Sequence, residues 1–408
     1  MIFRKRAPDL QLLFFYIFLA VPLVYVHDDP VLSRTVRFLV LFLVLLLILF
    51  TASLRNKVIE NYRRLPSAGR LALALISVLM IGSLLKSQDG INTALLGLTP
   101  EYLGLFSWFA FGVLALLLAD RLHEYLLKRG TLVFFLSVMI GSLYIDRYFI
   151  KYGMRVSGLL LQATSMGVYA ALGCVIGLWH LRTAKNRSGQ VLAGALIVLS
   201  LVAVLLTQSR VGYLGLAIVC SMLVVHLLAE HRKMIALIAA VVVLAVAVLP
   251  RLIPNYFERF DDSTVSIGIS YRLDLYATSV RDLVSHNLLL GNGPSSLPVA
   301  INNENLVPED IQKSLRTGDI FLSSHNLYLD MGYFFGLVAA IALLLLSIHA
   351  LIVGLRHTSV ELEQMLLYIL LLLNALINVP SLELTSLTVI LTLAIYGSGS
   401  ETSRNNHG

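Results

Sequence analysis

Charge is scarce in this sequence. Only 13% of its 408 residues are Asp, Glu, Lys or Arg, against roughly 25% in an ordinary soluble domain, and 58% are hydrophobic. A soluble fold has no way to bury that much apolar surface, so lipid is the expected solvent. Cysteine is nearly absent as well. Cys174 and Cys220 each sit inside an apolar block, which argues against a disulfide framework or a thiolate metal site and leaves both as small packing residues. Acidic metal motifs are missing too: there is no Asp-x-Asp and no Glu-x-x-His at an outward helix end. The adjacent pairs Asp28-Asp29 and Asp261-Asp262 offer at most a base or a weak cation site. No metal and no cofactor is expected. Tandem repeats and low-complexity tracts are lacking, and so is the long mid-chain cytoplasmic connection of a typical two-times-six transporter.

What the chain does have is apolar blocks of about 17 to 25 residues, near 10–26, 36–54, 70–86, 102–119, 131–149, 157–180, 190–206, 211–228, 234–250, 327–353, 361–378 and 382–397. A helix rising 1.5 Å per residue needs about 20 such residues to cross ~30 Å of hydrocarbon. The expected fold is therefore an all-α polytopic membrane protein of about twelve spans. Nine spans fall in residues 1–250, one long loop occupies 251–326, and three further spans with a short tail fill 327–408. Phe3-Arg4-Lys5-Arg6 resembles the start of a signal peptide, but no small-residue cleavage site follows, so the first block counts as a span. With the N-terminus in the cytoplasm, most of the 31 Lys and Arg residues lie in short cytoplasmic connections, as the positive-inside rule requires. Both termini are then cytoplasmic and the long loop faces outward. The net charge of +7 serves to orient the chain among membrane lipids. Basic residues do not gather on one face, so no nucleic-acid partner is implied. One outer connection breaks the charge rule, because Arg147, Lys151 and Arg155 surround a single short turn. They are either a site for something anionic or interfacial anchors.

In the long loop, Ser270 to Ser285 reads as an amphipathic helix lying on the membrane surface. Leu273, Tyr276, Val280, Leu283 and Val284 share one face. Gly291-Asn292-Gly293-Pro294 forces a turn, and Ser323-Ser324-His325-Asn326 leads directly into the tenth block. Three ionisable residues far apart in sequence then share one depth: Arg210 between the seventh and eighth spans, Arg272 in the loop helix, and His325 at the mouth of the tenth span. Two guanidinium forks converging on one spot suit a diphosphate, and an imidazole beside them is a suitable base. Each also has a plainer role, as a snorkelling anchor, a solvated loop residue or a helix cap respectively. Asp330 is a rival base or a partner for either arginine. Tyr271, Tyr276 and Tyr328 are candidates for stacking on sugar rings or for interface anchors.

Ser209-Arg210-Val211-Gly212 after an apolar span, Arg272 in a helix leading to Gly291-Asn292-Gly293, and His325-Asn326 followed after nine residues by Gly336 resemble the O-antigen ligase family. The usual small and aromatic residues after that glycine are replaced here by Leu337-Val338-Ala339. The resemblance implies transfer of a glycan from an undecaprenyl-diphosphate-linked O-antigen donor to a sugar hydroxyl of the lipid A-core acceptor, at the periplasmic face of the bacterial inner membrane. In that chemistry His325 is the general base, and Arg210 and Arg272 bind the diphosphate. Asn326, Asp330, Arg147, Lys151, Arg155 and Tyr276 are possible accessory residues. Metal-independent, inverting transfer is expected. Related outlines are shared by O-antigen polymerases and by protein O-oligosaccharyltransferases, whose members usually carry a further C-terminal domain. A transporter or flippase for an anionic lipid is the alternative from a different class, and its requirement for polar groups at mid-membrane depth points to Gln162, Thr164 and Asn374.

Overall fold

The computed structural model describes residues 9–26, 29–86, 91–96, 104–147, 150, 155–227, 262–293, 323–356, 360–378 and 381–405. Among these residues the chain is all-helical. The main helices are α1 (Leu10–Ala20), α2 (Pro30–Phe50), α3 (Ala52–Arg64), α4 (Ser67–Ser83), α5 (Leu105–Leu118), α6 (Arg129–Ile145), α7 (Ala163–Thr183), α8 (Arg187–Thr207) and α9 (Arg210–Leu227). They are followed by α10 (Asp262–His286), α11 (Leu327–Phe335), α12 (Leu337–Arg356), α13 (Leu362–Ile377) and α14 (Leu382–Asn405). Among the described residues five helices are long and apolar enough to cross a membrane: Val31–Phe50, Ser67–Lys86, Ala163–Thr183, Arg187–Thr207 and Leu337–Arg356. Six shorter apolar helices accompany them. The expected ninth span, 234–250, lies outside the described residues.

Helix α7 is the hub of the bundle. Its apolar window is 89% buried, and it packs against α6, α8, α9 and α13. Small residues permit this closeness, as they do generally where helices meet in lipid. A Cβ on Gly212 of α9 would come within 3.0 Å of the Gly167 backbone in α7, so these two helices touch backbone to backbone. The ends of the bundle are fixed by similar contacts. Gly82, late in α4, lies against Leu290 of the loop that follows α10, whereas Gly69, early in α4, lies against Tyr396 late in α14. The α10 loop therefore sits at one end, and α3 with the start of α4 at the other.

Two sequence expectations change. The tenth block is not one helix: α11 ends at Phe335, and Gly336 (φ +94°) breaks the run before α12. The cause is a docked turn. Asn292 and Gly293 donate their N–H groups to the carbonyls of Tyr333 and Phe334 at 2.8 and 3.1 Å, and Leu337 donates to Leu288 at 2.9 Å. A side chain at Gly336 would collide with the Leu289 carbonyl, so hydropathy sees one span where the backbone is interrupted. The charged stretch after the second block forms a helix of its own, α3. In α10 the buried face is Leu275, Thr278, Ser279 and Leu283, whereas Leu273, Val280 and Val284 of the expected apolar face are exposed. In lipid this inversion is natural, because small polar residues pack against protein while the apolar stripe meets hydrocarbon.

A buried ion pair ties the site end together. Arg37 of α2, 1% exposed, donates to Glu383 of α14 at 2.6 Å, to the Val24 carbonyl at 3.0 Å, to the Pro22 carbonyl at 3.1 Å and to the Leu159 carbonyl. Removing one member of such a pair strands the other charge at a cost of about 3–5 kcal/mol. Glu383→Leu should therefore markedly lower the temperature at which the detergent-solubilised protein loses its monodisperse peak. Pairing it with Arg37→Met should restore most of that loss. An unchanged melting temperature in Glu383→Leu would show that the guanidinium is satisfied by the three carbonyls alone.

Candidate active site

The first component is built by the tight turn between α8 and α9. Gln208 takes the left-handed conformation (φ +48°) that ends α8. Buried Ser209 then caps α9, its Oγ accepting from the Gly212 N–H at 3.2 Å. Ser209-Arg210-Val211-Gly212 is thereby explained from below: a cap, the exposed first residue of the helix, and the glycine that admits α7. Arg210 is presented at the helix start by residues that have little freedom of their own.

Arg155 braces the same turn from outside. Its Nε donates to the Thr207 carbonyl at 3.0 Å, one of the acceptors that a helix C-terminus leaves open. Arg147 is exposed, donates to the Tyr144 carbonyl at 2.7 Å and lies over the Tyr144 ring at 4.2 Å, the posture of an interfacial anchor. Lys151 lies outside the described residues.

The second component is the segment entering α11. Asn326 caps that helix, its Oδ1 accepting from Tyr328 and Leu329 at 3.0 and 3.1 Å, while its Nδ2 donates to the Leu376 carbonyl at the end of α13, 3.0 Å away. Asp330, 2% exposed, reaches back one turn: its carboxylate accepts from Ser323 Oγ at 2.6 Å, Ser324 Oγ at 2.6 Å and Ser324 N–H at 2.9 Å. Ser323 Oγ in turn accepts from the His325 N–H at 2.9 Å. Asp330 is thus occupied with the backbone that carries His325. The expectation of an acid facing an arginine gives way to that of a carboxylate holding a loop.

His325 itself stands at φ +64°, a conformation costing a non-glycine residue roughly 1–2 kcal/mol. The hydrogen bonds on both sides enforce it, and strain held in this manner is a mark of functional positions. Burial, with the Arg272 charge adding to it, pulls the His325 pKa down to about 4. The imidazole is consequently neutral at pH 7.

The third component is α10, which packs on α11. Arg272 has its pKa lowered, first by burial and then by the charge of Arg210, with Tyr276 acting the other way. The structure therefore brings Arg272 within electrostatic reach of both Arg210 and His325, although the three come from separate parts of the chain. Tyr276 is half-buried, and burial raises its pKa with Arg272 partly offsetting the effect. Its hydroxyl lies 3.4 Å from the His325 carbonyl and 3.3 Å from that of Leu376, so it spans α10, α11 and α13. The side chain of Tyr271 and residues 28 and 261 fall outside what is described. Tyr328 is buried in the bundle, which leaves it no sugar to stack on. Among the described residues no group of three or more His, Cys, Asp or Glu could hold a metal ion.

Ser323, Ser324 and the Leu376 carbonyl were not singled out by sequence reasoning. Chemically the arrangement offers two cations, a neutral imidazole and a rigid backbone scaffold at one end of the bundle, enough to bind an anionic group and accept a proton. No curated protein matches the chain. Residues 195–344 match the family model described as O-antigen ligase, a stretch containing every residue of the Ser209-to-Gly336 pattern, and the match supports the O-antigen ligase family for this chain.

Proposed function

We propose that this protein is an O-antigen ligase: in a chain of about twelve spans, it moves a glycan from undecaprenyl diphosphate to a sugar hydroxyl of lipid A-core at the periplasmic face of the inner membrane. The observation that carries the proposal is the electrostatic linkage of Arg210, Arg272 and a neutral, conformationally constrained His325. As the acceptor oxygen bonds to C1 of the glycan, its proton passes to the imidazole. The bond from C1 to the diphosphate oxygen breaks, and the electron pair leaves with the diphosphate. Charge growing on that oxygen is held by the two guanidinium groups. Attack opposite the leaving group inverts the anomeric centre, and no metal is required.

The depressed pKa has a further consequence. An imidazole held near 4 is available but weak as a base. Diphosphate beside Arg272 offsets that cation's repulsion of a protonated His325, so the donor strengthens the base it needs. Gln162 precedes α7 and Asn374 lies in the last turn of α13. The polar groups considered for a transport path therefore sit at helix ends rather than at mid-depth, which favours an enzyme over a flippase. Purified protein in detergent, given donor and acceptor, should form product although there are no compartments to transport between. The rate should fall as pH drops and His325 gains a proton, with the kcat limb at higher pH than the kcat/KM limb. Absence of product, or a rate that rises on acidification, would overturn the reading.

A further inference from the structure

A second feature lies away from these residues. A cavity of about 310 Å³ opens between α4 and α5 and is closed from behind by α11, α12 and α14. Its walls include Tyr62, Leu73, Ser77, Trp108, Gly112 and Met331. They are almost wholly apolar. A Cβ placed on Gly112 would meet nothing within 4 Å, so the space is real at that point and unfilled by protein. Around it α4 turns Leu71, Leu75 and Val78 outward, at 70%, 37% and 66% exposure. The cavity is thus bordered by lipid-facing surface, and a void of this kind forfeits the dispersion contacts of every atom lining it. A hydrocarbon chain from the bilayer restores them.

The rim decides which lipid. Tyr62 belongs to α3, and its hydroxyl donates to the Arg70 carbonyl at 3.2 Å, joining α3 to the first turn of α4. Along α3 and into that junction the sequence places Lys57, Arg63, Arg64 and Arg70, while Arg55, in the first turn of α3, donates to the Leu49 carbonyl at the end of α2 at 3.3 Å. The carboxylates there are Glu60, which pairs with Lys57 and Arg64, and Asp120, which pairs with Lys57. The balance stays cationic, with Arg63 and Arg64 exposed. We propose that the cavity holds one acyl chain of an anionic phospholipid whose headgroup rests on the basic α3–α4 junction. The headgroup end, on α3, lies at the opposite end of the bundle from His325, and only the inner wall of the cavity reaches α11, at Met331, so the lipid proposal does not depend on the glycan chemistry.

The test uses the full chain in detergent, with dioleoyl phosphatidylglycerol, dioleoyl phosphatidylethanolamine and undecaprenyl phosphate as probes, and native mass spectrometry to count retained lipid. Wild type should keep one phosphatidylglycerol per chain and raise its melting temperature on binding it, with little response to phosphatidylethanolamine. Gly112→Leu fills the space and replaces a poor helix former with a good one, so it should fold at least as stably yet lose the bound lipid. Arg63→Glu should weaken retention about tenfold while leaving the lipid-free melting temperature unchanged. Equal retention of both lipids, or undiminished retention in Gly112→Leu, would refute the site. Loss of undecaprenyl phosphate but not of phosphatidylglycerol in Gly112→Leu would refute it too, by assigning the cavity to a prenyl chain.

Discussion

Replacing His325 with Asn should lower glycan transfer by about 10²–10⁴-fold, the range over which a positioned base contributes, while the protein still inserts and melts normally. Asn suits the experiment better than Ala. The backbone at this position is left-handed at φ +64°, which Asn tolerates well, so the variant removes the imidazole and keeps the turn. His325→Ala should lose as much activity with some added instability. Product formation by purified protein and capping of lipid A-core in cells would both report the loss. If His325→Asn retains wild-type turnover, proton transfer belongs to another group or to water, and the base assignment fails.

The second large effect concerns the arginines. Arg210→Ala and Arg272→Ala should each reduce transfer by about 10²–10³-fold, as loss of a donor to a developing oxyanion does. Lys at either position should recover little, because an ammonium lacks the planar fork that grips two phosphate oxygens at once. The two variants should differ in one respect. Arg272 depresses the His325 pKa directly, second to burial, so Arg272→Ala should move the acid limb of kcat/KM upward toward the ordinary histidine value of about 6.5. Arg210→Ala should leave that limb where it is. No shift in Arg272→Ala would mean that the imidazole does not sense Arg272 and that burial alone lowers its pKa, whereas an equal shift in both variants would mean that Arg210 reaches the imidazole as well.

Parts of this arrangement are legible without coordinates, because some constraints act locally. Apolar blocks of spanning length reveal helices, since lipid forces every backbone group to be satisfied within its own segment. Gly291-Asn292-Gly293 can be read as a turn from residue type alone. The interruption at Gly336 could not be read in this way. A single glycine in an apolar run is common in membrane helices, and only the turn seated against it by hydrogen bonds from Asn292 and Gly293 makes it a break. The inverted face of α10 was hidden for a related reason: in lipid, hydrophobicity does not distinguish the packed side of a helix from the exposed one.

The sequence by itself determined the apolar composition, the helical class and the Ser209-to-Gly336 pattern that the family model matches. Those follow from composition, block length and residue chemistry, which need no partner. Only the tertiary structure decided that Asp330 holds the His325 loop, that Arg155 braces a helix end, that Arg37 and Glu383 share a buried pair, and that Arg272 acts electrostatically on His325. Such relations depend on distance between segments remote in the chain, and distance is set by packing in three dimensions rather than by the order of residues.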